Sequence, residues 1–152
     1  MTKSMNKEIL IEEEENEEGE TMQTETMREV LHRSEAGKAT FPEVVGRLLE
    51  AGVQSYFADY VSGLHTFYMP GGETHVEKRT LPIVPVAAEF SKDGVVAAIR
   101  GAQADTVRYP EFVKLTAGAG VAAYWVFLAG RRVVYFGRKG EMHIEEFPRA
   151  SS

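Results

Sequence analysis

The sequence predicts an α+β fold in which one α-α-β-β-β unit occurs twice. Three observations predict it: an ungapped internal repeat, a helix in each copy that opens on proline and closes on glycine, and three short β-rich runs after that helix. Placing Pro110 on Pro42, an offset of 68 residues, superposes Phe41-Pro42-Glu43-Val44-Val45 on Tyr109-Pro110-Glu111-Phe112-Val113. The same register brings Ala51-Gly52-Val53 onto Ala119-Gly120-Val121, Tyr56-Phe57 onto Tyr124-Trp125 and Phe67-Tyr68 onto Tyr135-Phe136. Gly72-Glu73-Thr74-His75-Val76-Glu77 then falls on Gly140-Glu141-Met142-His143-Ile144-Glu145. A common start, stop and end motif in one register marks a duplication. The repeats span residues 24–78 and 92–146.

A first helix is expected near 24–36 (apolar Met27, Val30, Leu31) and again near 90–102 (Val95, Val96, Ile99). The second helix begins at Pro42 or Pro110, since proline is preorganised for the first turn and its missing N–H is not needed there. Thr40 suits an N-cap and Arg108 does not. Val45, Leu48 and Leu49 form an apolar stripe at helical spacing. Gly52 and Gly120 stand where a positive φ ends a helix. Strands follow at 53–61 and 64–69 around Ser62-Gly63, and at 121–128 and 132–137 around Gly130-Arg131, which are hairpin signals. A turn at 70–72 or 138–140 leads into each third strand. Residues 79–88 hold Pro82 and Pro85 and read as an extended crossover. The halves are expected to pack about a pseudo-twofold axis as one domain, residues 24–148, with two antiparallel three-stranded sheets or one joint sheet and helices packed on it.

The chain has 152 residues and a net charge of −6, but the charge is uneven. Residues 1–26 carry nine glutamates against Lys3 and Lys7, so the remainder sums to +1. An acidic block with little to bury repels itself, and residues 1–23 read as a disordered tail. There are no cysteines, which excludes disulfides, thiolate metal sites and cysteine nucleophiles. No run of about 20 apolar residues is present, and the N-terminus lacks a signal-peptide pattern. These features point to a cytoplasmic protein without membrane contact.

The repeated Gly-Glu-x-His-apolar-Glu motif is the main polar constellation. Strand alternation places Glu73, His75 and Glu77 on one face, and Glu141, His143 and Glu145 on one face in the second copy. Histidine between carboxylates suits a divalent metal, with His75 and His143 as ligands, or general acid–base work near neutral pH. Asp59 is the candidate that strand register would have to bring to His75. The plainer reading is that alternating charges keep an outer strand solvated and unpaired. The copies also differ: Gln54, Asp59 and His65 in the first become Ala122, Phe127 and Val133 in the second. Either the second copy is simply the core, or the first kept polar residues for a site. Trp125 beside Tyr124 and Phe127 is expected in the core, and Arg131, Arg132, Arg138 and Lys139 read as exposed turn residues, not a nucleic-acid footprint.

From Val30 onward, Thr40-Phe41-Pro42-Glu43-Val44-Val45, Gly52-Val53-Gln54-Ser55-Tyr56, Gly72-Glu73-Thr74-His75, Gly94-Val95-Val96-Ala97-Ala98-Ile99-Arg100, Tyr109-Pro110-Glu111-Phe112 and Gly130-Arg131-Arg132-Val133-Val134-Tyr135-Phe136-Gly137-Arg138 carry a resemblance. The chain resembles a family of uncharacterised bacterial and prophage-borne proteins, sometimes labelled phage envelope protein and grouped as YdfO-like. The resemblance implies no activity and no site residues.

The functional expectation is a small soluble binding module without enzymatic activity. Its partner would be a protein or small molecule rather than nucleic acid, and a homodimer is the assembly a duplicated fold allows. The alternative is a metal-dependent or acid–base enzyme built on the repeated strand motif, with a divalent metal as its cofactor.

Overall fold

A computed structural model describes residues 23–148. The acidic tail expected at 1–23 lies outside the described residues apart from Gln23, which opens the first helix. The first repeat contributes α1 (23–35), α2 (Phe41–Glu50), β1 (Ser55–Asp59), β2 (Leu64–Tyr68) and β3 (Thr74–Lys78). The second contributes α3 (Lys92–Gln103), α4 (Tyr109–Gly118), β4 (Val121–Phe127), β5 (Arg132–Gly137) and β6 (Met142–Glu146).

The six strands make one joint antiparallel sheet in the order β3-β2-β1-β4-β5-β6, with four helices packed on it. Phe57 and Trp125, equivalent under the repeat, pair directly across β1 and β4, while Tyr56 faces Val126 and Ala58 faces Tyr124. The pseudo-twofold axis therefore passes through the Phe57–Trp125 pair, and β3 and β6 become the two outer edges. Alternation then divides the sheet. Tyr56, Ala58, His65, Phe67, Tyr124, Val126, Val133 and Tyr135 are buried toward the helices. Phe57, Thr66, Tyr68, Trp125, Val134 and Phe136 point the other way and are half-buried, with Val76, Met142 and Ile144 exposed near the edges. No helix among the described residues covers that second face.

The helices form where local signals and tertiary burial agree. In α1, Met27, Val30, Leu31, Ser34 and Glu35 are buried, a stripe at helical spacing. Helix α2 starts with a capping box: Glu43 N–H donates to the Thr40 hydroxyl, and Thr40 N–H donates to the Glu43 carboxylate at 3.1 Å. Helix α4 has no side-chain cap at Arg108, as the sequence predicts. The buried stripe of α2 lies one residue away from expectation. Val44 and Leu48 are buried, Val45 is half-buried and Leu49 is 46% exposed, because the apolar run is wider than the face the sheet accepts. Both helices end at a glycine with positive φ, +82° at Gly52 and +94° at Gly120. Val95, Ala98 and Ile99 of α3 and Phe112, Val113, Thr116 and Ala117 of α4 complete the layer. Each large apolar side chain buried there contributes about 1.5–3 kcal/mol.

The crossover is extended, as its prolines require, and is pinned along its length. The Glu35 carboxylate accepts from Thr80 N–H at 2.9 Å and Thr80 O–H at 2.7 Å, Ala87 N–H donates to the Ala117 carbonyl, and Ser91 N–H donates to the Ala119 carbonyl.

Candidate functional site

The repeated strand motif does not assemble into one site. His75 on β3 and His143 on β6 stand on opposite edges, five strand spacings apart, roughly 24 Å at about 4.8 Å each. Each is used locally instead. His75 lies over the ring of its cross-strand neighbour Phe67 and pairs with Glu77 through Nε2. His143 lies over Tyr135 and meets Glu145 at 3.2 Å. Arg28 of α1 then bonds Glu77 at 3.2 Å, and Arg100 of α3 bonds Glu145 at 2.8 Å. Burial alone would raise both carboxyls, but hydrogen bonds from histidine and arginine outweigh it and hold both below the ordinary glutamate value. The arrangement stitches each repeat's first helix to its outer strand.

The remaining motif residues serve turns. Glu73 precedes β3 and is exposed, and Glu141 precedes β6, where its carboxylate accepts from Lys139 N–H at 2.9 Å. Asp59 lies on the opposite face of the sheet from His75, two strands away, and accepts from Val61 N–H and Ser62 N–H in its own turn. Among the described residues no group of three or more His, Asp or Glu side chains could hold a metal. Trp125 belongs not to the core but to the open face, against Phe57 at 5.3 Å, Tyr68 at 5.4 Å and Phe127 at 5.2 Å. Its strand is central, two from the β6 edge and three from the β3 edge, but its side chain is on the face that the helices do not cover. The basic turn residues are engaged close by, Arg132 with Glu146, Lys139 with Glu89 and Arg138 with the Val86 carbonyl.

The notable cavity is elsewhere. A space of about 380 Å³ lies between the helix layer and the sheet. It runs from exposed Gln103, Asp105 and Pro148 inward to buried Tyr56, His65, Phe67, Tyr124 and Tyr135. Most of its wall is apolar, from Val30 and Leu31 of α1, Val44 and Leu48 of α2 and Ile99 of α3. Three of its polar groups form one chain, while Asp105, Arg108, Glu145 and Glu146 also line it. Tyr124 O–H donates to the Tyr109 hydroxyl at 2.9 Å, and that hydroxyl lies 3.2 Å from His65 Nε2. In the tautomer protonated on Nδ1, Nε2 accepts the Tyr109 proton that the bond from Tyr124 leaves free. Burial, helped by the nearby Arg79 charge, pushes His65 down to about 4, so the ring is neutral at physiological pH. Burial raises the Tyr56, Tyr60, Tyr109, Tyr124 and Tyr135 phenols, which stay protonated.

Behind His65 lies Arg79, only 5% exposed. Glu77 pairs with His65 across β2 and β3, and Arg79 is two residues further on the same face. Its guanidinium lies 5.7 Å from the Tyr60 ring centre and donates to the Pro82 carbonyl at 3.3 Å. Tyr60 in turn shares a hydrogen bond of 2.7 Å with Thr116. Among the described residues, Arg79 Nε and Nη1 and His65 Nδ1 are buried without a hydrogen-bond partner, as is Trp125 Nε1 on the other face of the sheet.

Under the repeat, this cluster is one-sided. Tyr60, His65, Arg79, Tyr109 and Thr116 correspond to Leu128, Val133, Phe147, Phe41 and Leu48. His65 was visible in the sequence as a difference between the copies. The other four were missed, although the same offset applied to every position would have found them.

Fold and cavity together define the class: a duplicated α+β protein with four helices on one face of a six-stranded antiparallel sheet and a cleft between the layers. No helix among the described residues is long and apolar enough to cross a membrane. The chain belongs to the family described as Protein of unknown function (DUF1398), whose model matches residues 29–146. Among curated proteins none matches the chain.

Proposed function

We propose that the protein is a small-molecule binding module and that the cleft between helices and sheet is its site. The carrying observation is the cleft itself, about 380 Å³, apolar over most of its wall, with a hydrogen-bonded chain of Tyr124, Tyr109 and His65 among its polar groups. That size and lining suit a small ligand, since such sites span about 300–1,000 Å³ with few convergent polar groups. The cytoplasmic location and prophage-related origin expected from the sequence belong to the same proposal, supported by the cysteine-free composition and the family resemblance.

The test uses the neutral fluorophore N-phenyl-naphthylamine and the full chain. Its emission should rise on binding, and Ala102→Phe, which fills the cleft, should remove the rise while the melting temperature is kept. No enhancement, or an equal enhancement in the filled variant, would count against the proposal.

A further inference from the structure

We infer that the ligand is an apolar molecule ending in a single carboxylate, seated with that end toward His65 and Arg79. This deepens the small-molecule reading and rests on it. Three buried nitrogens on neighbouring side chains, Nδ1 of His65 and Nε and Nη1 of Arg79, have no hydrogen-bond partner among the described residues; both arginine groups are donors, and Nδ1 is one in the tautomer that accepts from Tyr109. All belong to side chains more than nine-tenths buried, His65 at 3% and Arg79 at 5% exposure. His65 lines the cleft. Arg79 is its diagonal neighbour across the strand pair, at about 7–8 Å between such positions.

Arg79 also makes no ion pair among the described residues, while the nearest inward carboxylate on its strand, Glu77, is committed to Arg28 and His75. A buried guanidinium is ordinarily matched by an anion with its hydrogen bonds fulfilled. Here the acceptor that Arg79 has among the described residues is the Pro82 carbonyl, which takes Nη2 and leaves Nε and Nη1 for an acceptor on the ligand. A carboxylate accepts several N–H groups and carries the matching charge.

The duplication shows that architecture does not demand these residues. The symmetry-related end carries Phe147, Val133 and Phe41 in place of Arg79, His65 and Tyr109, and there Phe41 meets Phe147 edge to face at 5.4 Å. Phe41, Phe147 and Val133 line the same cleft. The cleft thus has His65 and Tyr109 on its wall at one end, with the Arg79 charge behind His65, and Phe41, Phe147 and Val133 at the equivalent end, where Glu145 and Glu146 also line it, so an anionic group is favoured at the His65 end.

The experiment compares decanoate, decanol and decylamine as competitors of bound N-phenyl-naphthylamine on the full chain. Decanoate should displace it at a concentration at least about tenfold lower than decanol, and decylamine should be weakest. In His65→Val/Arg79→Met the acid and the alcohol should become equal, with decanol still competing, which shows that the cleft persists. Decanol matching decanoate on the unaltered protein would overturn the carboxylate inference and leave the cleft as a site for neutral molecules. Failure of the fluorophore itself to bind would overturn the cleft reading and this inference with it.

Discussion

If the His65–Arg79 cluster exists for a ligand, the empty protein should become more stable when the cluster is replaced by apolar residues. The perturbation is His65→Val, the residue of the other half, with Arg79→Met, which keeps length and removes charge. Three buried donors without acceptors disappear, each costing about 1–3 kcal/mol when left unpaired. Against this stand two long hydrogen bonds, His65–Tyr109 at 3.2 Å and Arg79–Pro82 at 3.3 Å, at about 1 kcal/mol each. The cation over Tyr60 accounts for roughly another 0.5–2 kcal/mol. Tyr109 keeps its bond from Tyr124, and its own hydroxyl, parted from His65, faces the cleft. At mid-range values, about 6 kcal/mol gained against about 3 lost, the balance favours the variant by about 3 kcal/mol, within the roughly 1–4 kcal/mol seen when buried charged groups give way to well-packed apolar ones. With a urea slope of about 1.5 kcal/mol per M, the midpoint of unfolding should rise by roughly 0.7–2.7 M. A variant destabilised by more than about 1 kcal/mol would refute the reasoning, because the cluster would then be part of what holds the fold together.

Lowering the pH should weaken the protein through His65. Its pKa is about 4 in the folded chain against about 6.5 unfolded, so the unfolded state binds the proton first and stability falls as pH drops between those values. From pH 7.5 to pH 5 the loss should be about 2 kcal/mol by urea titration, and His65→Val should remove that part of the slope. The equivalent glycines should respond unequally to alanine. At Gly52 the cost is that of a positive φ alone, about 1–2 kcal/mol, since a Cβ meets nothing nearer than the Met69 methyl at 3.6 Å. At Gly120 a Cβ would press on the Glu89 carbonyl oxygen and approach Phe90 Cα to 2.7 Å, so denaturation should show a loss about twice as large or more. Thr40→Ala should cost about 1 kcal/mol by breaking the capping box, whereas Arg108→Thr at the matching position should be neutral or gain roughly 0.5 kcal/mol in the same assay. Zinc, manganese or nickel should leave the melting temperature unchanged, and a rise lost in both His75→Ala and His143→Ala would restore the metal reading.

Much of the architecture is legible in the sequence because it rests on local rules. The ungapped repeat, the Pro42 and Pro110 starts, the Gly52 and Gly120 stops and the glycine-containing hairpin turns each follow from one residue's backbone preference. What pairs with what is not local. Joining two three-stranded sheets into one depends on β1 meeting β4, a contact between segments 68 residues apart that no turn specifies. The side-chain roles of the strand motif were hidden for a related reason. Arg28 and Arg100, which tie up Glu77 and Glu145, are not equivalent under the repeat, since position 28 corresponds to Val96. The ion pairs recur in space through side chains one helical turn apart. Tyr60, Arg79, Tyr109 and Thr116 are unremarkable where they stand in the chain, and only the fold gathers them behind His65.

Duplication also constrains where a site can develop. Positions on the pseudo-twofold axis face their own equivalents, so Phe57 and Trp125 must remain compatible with each other and cannot differ freely. Away from the axis, each position has a distant twin that can be changed independently. The cleft lies across the inner face of the sheet and draws wall residues from both halves, so differences at twinned positions, His65 against Val133 and Tyr109 against Phe41, make its two ends unlike. Five of these pairs carry the polarity here, and they lie on different elements, β2, α4 and the segments after β1 and β3. Their conversion to a single contiguous cluster links Tyr60 with Thr116 and His65 with Tyr109 across the halves. A purely structural origin would lead such buried polar groups to be mutually fulfilled, as Tyr60 and Thr116 are. Arg79 and His65 are not fully matched in this way, while their twins Phe147 and Val133 offer no buried polar atom, and this separates the part of the cluster that completes the core from the part we propose faces a ligand.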